Sequence, residues 1–244
     1  MQEHELWLTA LFNDHLAGLA NWSLGLFHLT AGNPARPWAD WLTMEILVVA
    51  ILVVGFALLR PFLSVDKPGG FQHIFEVFWD FFKVSTEEGG IEHGAKYVPF
   101  FGTLFIFILI MNLIGLIPSL EAPTMDASVT LGLAVATFLY YNFWGFQVHG
   151  PKYVMQLMGP VWWLAPLMIP IEIVSHLARP MSLTIRLFAN MVAGEQVTGA
   201  FMSVAHVAIP TIFMIFHIFI SFLQAYIFML LAIVYVRGAV AHDH

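Results

Sequence analysis

Hydrophobic residues in this 244-residue chain gather into long runs, separated by short polar stretches. Residues 1–40 are only mildly amphipathic, and Trp7, Trp22, Trp38 and the adjoining Trp41 suit a segment lying at a membrane surface, where indole rings prefer to sit. The apolar run that ends at Arg60-Pro61 predicts a first span over 41–60, with Glu45 close enough to its start to stay among headgroups. VDKPGG then signals a turn. Between 71 and 86, Phe71, Ile74, Phe75, Phe78, Phe81 and Phe82 recur at helical spacing opposite Gln72, Glu76, Asp80 and Lys83. That is the pattern of an amphipathic surface helix, not of a span. Two further spans are predicted over 97–118, closed by Pro118, and over 128–148. Asp126 reads as a cap or first-turn acid for the second of them. Residues 149–160 form a polar connection punctuated by Gly and Pro.

The pattern changes from residue 161. Val161 to Ala200 contains no strong turn, and as one helix it would run ~60 Å, twice the ~30 Å of bilayer hydrocarbon. A second long run covers 206–237. Helices of that length must tilt, kink or break, and Pro166, Pro170 and Pro180 offer places to bend. The alternative is a separate or re-entrant helix over 161–180 ending at Pro180. The expected fold is therefore an all-α polytopic membrane protein. It has about five hydrophobic membrane helices, the last two long and strongly tilted, plus one amphipathic surface helix. Residues 1–40 form an extracytoplasmic or interfacial segment, and 41–244 the membrane domain, with its long helices over 161–200 and 206–237.

Composition sharpens this picture. The chain is 59% hydrophobic and only 10% charged, where a soluble domain carries about a quarter charged residues. The formal charge of −7 comes with no basic stripe, which argues against nucleic acid as a partner. There is no cysteine, so disulfide and thiol chemistry are excluded. The N-terminus lacks a cationic region leading into an apolar core, so neither a cleaved signal nor a transit peptide is expected. Of nine basic residues, Arg60, Lys67, Lys83 and Lys96 fall between the first two spans, Lys152 in the 149–160 connection and Arg237 near the C-terminus. None lies in the 119–127 loop, so the positive-inside rule puts the N-terminus outside and the C-terminus in the cytoplasm. No internal repeat is visible, which weighs against a symmetric secondary transporter. No phosphate loop, nucleophile triad or zinc spacing is present either, and no catalytic chemistry, cofactor or metal is expected; the terminal HDH reads as a solvated tail.

Candidate chemistry concentrates in IEIVSHLARPMSLTIRLFANMVAGE, residues 171–195, where Glu172, Ser175, His176, Arg179, Arg186, Asn190 and Glu195 interrupt an apolar run. Ionisable groups at membrane depth are costly and face protein, water or a substrate path. Glu172, Arg179 and Arg186 lie within about 40° of one another on an ideal helix, Asn190 falls close to the same stripe, and Glu195 points to the opposite face. Arg179, beside Pro180, can equally snorkel or cap. Arg186 never deprotonates, so it acts electrostatically and not as a proton carrier. Its counter-charge is not local, because Glu172 is ~21 Å away along the axis and Glu195 ~13 Å away on another face. The last helix offers His217, Ser221 and Gln224 but no acid, which favours a carboxylate supplied in trans. The competing reading is a structural arginine bonded to carbonyls and Gln224. Glu195 and His217 could form a coupled relay across neighbouring helices, although His217 could also be a satisfied core histidine.

RPMSLTIRLFANMVAGE followed by FHIFISFLQAYIFMLLAIVYV resembles the a subunit of F-type ATP synthases, as do NLIGLIP at 112–118 and PTMDASVTLGLA at 123–134. The resemblance covers most of the chain from about residue 40. It implies an ion-translocating stator against a rotating c-subunit ring, within a complex that includes b-type peripheral stalk subunits, in a bacterial inner membrane. Arg186 matches the arginine that faces the c-subunit carboxylate. Glu195 and His217 match a polar pair in one aqueous half-channel, with Gln224 near the arginine. Glu172, Ser175 and Asn190 match further polar positions on the access routes, and Asp126 an acidic position near the outer loop. The transported ion is expected to be H+, with a sodium-coupled version as a variant, since ion choice lies largely in the c subunit. A stand-alone channel or transporter would instead need an internal acid for Arg186. A membrane scaffold would tolerate its loss.

Overall fold

The computed structural model describes residues 5–26, 28, 33–64, 69–91, 94–117, 119–151, 153, 165–202 and 208–240. Among them are seven α-helices and no strand: α1 Trp7–Leu26, α2 Asp40–Leu59, α3 Gly70–Glu88, α4 Val98–Ile114, α5 Ala127–His149, α6 Ala165–Met202 and α7 Ala208–Val240. Most of the VDKPGG turn, the stretch 154–164 and the terminal HDH lie outside the described residues.

By length and apolarity, α2, α5 and the Thr211–Val240 part of α7 can each cross a bilayer. The apolar α4 has 17 residues and reaches ~26 Å, slightly short of the hydrocarbon thickness. The fifth hydrophobic segment, α6, is long enough but carries Glu172, Arg179, Arg186 and Glu195. It departs from a simple span through charge, not length. At 38 and 33 residues, α6 and α7 run ~57 and ~50 Å, so neither fits upright inside the hydrocarbon.

Central to the core is α4, whose Phe101, Phe105, Ile108 and Met111 are fully buried. It packs on α7, which contributes Phe228, Met229, Ala232 and Ile233, while α5 and α6 close the bundle with Tyr141, Leu187 and Met191. Between lipid-immersed helices the attraction is close packing and hydrogen bonding more than water exclusion. Threonines on these helices bond back to carbonyls one turn earlier, as Thr137 does to Leu133 at 2.9 Å and Thr198 to Gly194 at 2.9 Å.

The amphipathic α3 divides its apolar face. Phe82 is buried against Phe105 at 5.4 Å between ring centroids and Phe81 meets Tyr226 at 5.7 Å, whereas Ile74, Val77 and Phe78 stay exposed for lipid. Gly102 makes room for Phe82, because a Cβ there would stand 3.0 Å from the ring. On the polar face, Gln72 donates to Glu76 at 2.8 Å, and His73 lies 2.9 Å from the other carboxylate oxygen. Chiefly the Gln72 bond, then the His73 bond, holds the Glu76 carboxyl below its usual range.

The proline-terminated alternative for 161–180 fails. Pro170 and Pro180 both lie inside the continuous α6. Each removes one backbone donor, a loss that a helix packed between neighbours in a membrane tolerates. Thr184 Oγ1 also donates to the Pro180 carbonyl at 2.8 Å, tying that turn to the next. Contacts between α6 and α7 run in opposite senses, with Arg179 near Tyr235, Asn190 bonded to Gln224 and Gly194 against His217. The pair is therefore antiparallel.

Candidate ion-translocation site

Arg186 sits near the middle of α6. Its neighbours Leu183 and Leu187 turn into the core, while Arg186 borders a shallow depression on the outer surface of α6. That depression measures about 670 Å³ and is lined by Val174, Leu177, Ala178, Met181, Ser182 and Ile185. Val174, Leu177, Met181 and Ile185 are all more than half exposed, so the guanidinium lies in an apolar face that no other part of the described chain covers. Arg186 makes no ion pair with the described residues. Gln224 is occupied by Asn190, so the described contacts do not supply the structural pairing that would make Arg186 a cis-bonded residue.

One polar cluster lies C-terminal to Arg186 along α6. Asn190 Nδ2 donates to Gln224 Oε1 at 2.8 Å, joining α6 to α7. Gln224 is 2% exposed and its amide nitrogen has no partner among the described residues; Ser221 Oγ, one turn earlier, is likewise buried and unpaired. His217 is 8% exposed and packs so closely on Gly194 that a Cβ there would meet its Nδ1 at 2.8 Å. Asn190, Gly194, Phe213, His217, Gln224 and Ile227 share a cavity of about 380 Å³ between the helices. Buried polar atoms left unpaired beside a cavity suit water or a mobile proton. Glu195 follows Gly194 and is half-buried, yet it is absent from the cavity wall and makes no ion pair with His217. One residue along a helix turns a side chain by 100°, so the close approach falls on Gly194 and the carboxylate points aside.

A second cluster lies on the other side of Arg186. Glu172 Oε1 stands 3.9 Å from His176 Nδ1 and 4.0 Å from Arg179 Nη2, and the Arg179 guanidinium lies over the Tyr235 ring at 5.5 Å. Ser175 is exposed on the same helix. Asp126 shares no described side-chain contact with either cluster: its Oδ1 accepts from Ser128 N at 2.7 Å and caps α5. It lines a wider polar cavity with Glu5, Asp40 and Glu121, where α1 and α2 meet the 119–126 loop. The structure thus gathers Asn190, His217 and Gln224, brings Glu172 to Arg179, and leaves Arg186, Ser175, Glu195 and Asp126 apart. It also joins Thr124 Oγ1 to Asn112 Oδ1 at 2.8 Å, with the Asn112 amide nitrogen buried and unpartnered. The asparagine that opens NLIGLIP, inside an apolar run, was the available signal for that pair. No cluster of His, Asp or Glu among the described residues could hold a metal ion.

These features define an all-α membrane protein whose longest polar helix presents a permanent cation outward between two separate polar clusters. A family model described as ATP synthase A chain matches residues 41–237. The ATP synthase subunit a of Solibacter usitatus is 56% identical over 235 residues, covering 96% of this chain and the whole of that protein. That of Koribacter versatilis is 47% identical over 243 residues, or 99% of both chains, and that of Trichlorobacter lovleyi 40% over 197 residues, 81% of this chain and 85% of the relative. The chain belongs to the ATP synthase A chain family.

Proposed function

We propose that this chain is the ion-translocating subunit a of a bacterial ATP synthase, a membrane subunit of that complex without catalytic chemistry of its own. It carries protons to and from carboxylates on a rotating c ring. The observation that carries the reading is the outward Arg186, a charge without a counter-charge among the described residues and set in an uncovered apolar face. A guanidinium is effectively always protonated, so it cannot relay a proton. It can lower the pKa of a carboxyl group that approaches in trans and thereby favour release of its proton. A fixed cation also opposes passage of a second cation straight from one polar cluster to the other.

On this reading, Asn190, His217, Gln224 and Glu195 serve one access route and Glu172 and Ser175 the other, with Asp126 near the outer mouth. The c ring covers the α6 face that holds Arg186, b-type peripheral stalk subunits hold the chain as stator, and lipid covers the rest. The distribution of basic residues supports a bacterial inner-membrane protein with its N-terminus outside and its C-terminus in the cytoplasm. H+ is the favoured ion, and selectivity against Na+ belongs to the c-subunit carboxylate site. A stand-alone channel is disfavoured by the absence of an internal acid paired with Arg186 among the described residues. Each charge crossing 100 mV supplies ~2.3 kcal/mol, so several ions must pass per product molecule.

The test is ATP-driven proton pumping by membranes carrying Arg186→Ala in a complex shown to be assembled. Pumping is expected to vanish. Normal coupled pumping would sink this function for Arg186.

A further inference from the structure

The Glu172 cluster contains a histidine that the pathway above does not use. His176 lies one turn after Glu172, on the same face of α6. Its ring stands edge-on to Phe138 at 5.9 Å and to Tyr141 at 5.6 Å, both from α5. Its Nδ1 is buried and makes no hydrogen bond with the described residues. Buried polar atoms are normally satisfied, so a purely structural histidine held between two aromatic rings leaves this nitrogen unexplained. Glu172 Oε1, at 3.9 Å, is the acidic oxygen facing it, and a shift of ~1 Å brings the two into hydrogen-bond contact.

The charged and titratable groups around His176 come from three elements. Glu172 and Arg179 share its helix, Tyr141 faces it from α5, and Tyr235 of α7 packs on both Tyr141 and Arg179. Tyr153, buried just beyond α5, feels the charges of Glu172 and Arg179. Of these side-chain types, imidazole is the one suited to take up and release a proton in the neutral range, while a guanidinium stays charged.

We propose that His176 is a proton-carrying residue of the same access route as Glu172. This rests on the proton-conducting reading of the chain. A proton on Glu172 Oε1 passes to the free Nδ1 of the neutral ring, leaving a carboxylate beside Arg179 and an imidazolium. The imidazolium releases the proton from Nε2 to water, and exchange with water restores the starting tautomer. No bond other than N–H and O–H changes, and the reverse sequence serves proton movement the other way.

The experiment uses membrane vesicles carrying the whole complex, with passive proton conduction measured after removal of the catalytic head, from about pH 5.5 to about pH 8.5, a range that brackets imidazole titration. His176→Phe keeps a ring between Phe138 and Tyr141 but removes both nitrogens. Conduction is expected to fall roughly tenfold near pH 7 and to lose its neutral inflection, a change of ~1.4 kcal/mol in barrier. His176→Ala is expected to recover flux when imidazole is added to the buffer, which a packing role would not allow. Unchanged conduction in His176→Phe overturns the proposal. So does a loss that imidazole fails to relieve in His176→Ala, or a failure of every His176 variant to assemble, because each makes the histidine a packing residue. Arg186→Ala, assayed for ATP-driven pumping in vesicles that keep the catalytic head, separates the two levels. Its normal pumping would remove the underlying reading, whereas a failure confined to His176 leaves that reading standing.

Discussion

Two arginines seven residues apart on α6 have opposite environments. Arg179 is near Glu172 and rests over Tyr235, while among the described residues Arg186 has neither an acid nor an aromatic ring against it. Helical spacing alone put both on one stripe, so the sequence could not separate them. The difference lies in what stands beside each: Glu172 and Tyr235 of α7 at Arg179, and the apolar side chains of its own helix at Arg186. Gly194 makes a similar point, since its missing Cβ admits His217. Gly194→Ala should force the imidazole to move, costing about 1–3 kcal/mol through overpacking. Thermal stability of the purified complex should fall and proton pumping with it. Adding His217→Ala should restore stability but not pumping, and a double mutant no more stable than Gly194→Ala would show that the clash lies elsewhere.

At the scale of elements, α2 to α7 were readable because their apolar runs and the Phe periodicity of α3 are long and regular, whereas the mildly amphipathic pattern of residues 1–40 did not predict α1. Continuity was not readable. A proline in a soluble helix interior ends or kinks it, but α6 continues through Pro170 and Pro180 because its neighbours and Thr184 hold the turns together. The two sides of α3 also had to be seen. Phe81 and Phe82 dock while Ile74 and Phe78 remain outward, although all four belong to the apolar set of a surface helix. Phe82→Ala should therefore destabilise the complex by about 3–5 kcal/mol. Ile74→Ala should change it by much less, and equal losses of melting temperature would mean that α3 does not dock through Phe82. Glu76 adds a small pH dependence on the other face. With its folded pKa lowered, its contribution is present above the ordinary carboxylate value and is lost as pH falls through the lowered one.

At the scale of the whole molecule, the proposed orientation rests on the basic residues, and the absence of cysteine makes it easy to test. Single cysteines at Asp14 and Gly238, both exposed, should react with a membrane-impermeant maleimide from opposite sides. Asp14→Cys should label in intact cells and Gly238→Cys only in inverted vesicles. The reverse pattern would invert the topology and exchange the two access routes.

Local pattern by itself determined the all-helical membrane class, the surface helix, the long final pair and the residues rich in chemistry, because hydrophobic period and the cost of buried charge are properties of neighbouring positions along the chain. Which of those residues meet was decided only by tertiary structure. The antiparallel contact of α6 with α7 joined Asn190 to Gln224, put His217 on Gly194 instead of Glu195, and carried Tyr235 to Arg179. Such pairings depend on where separate helices cross, and a one-dimensional pattern fixes each helix's faces without fixing which face another helix covers.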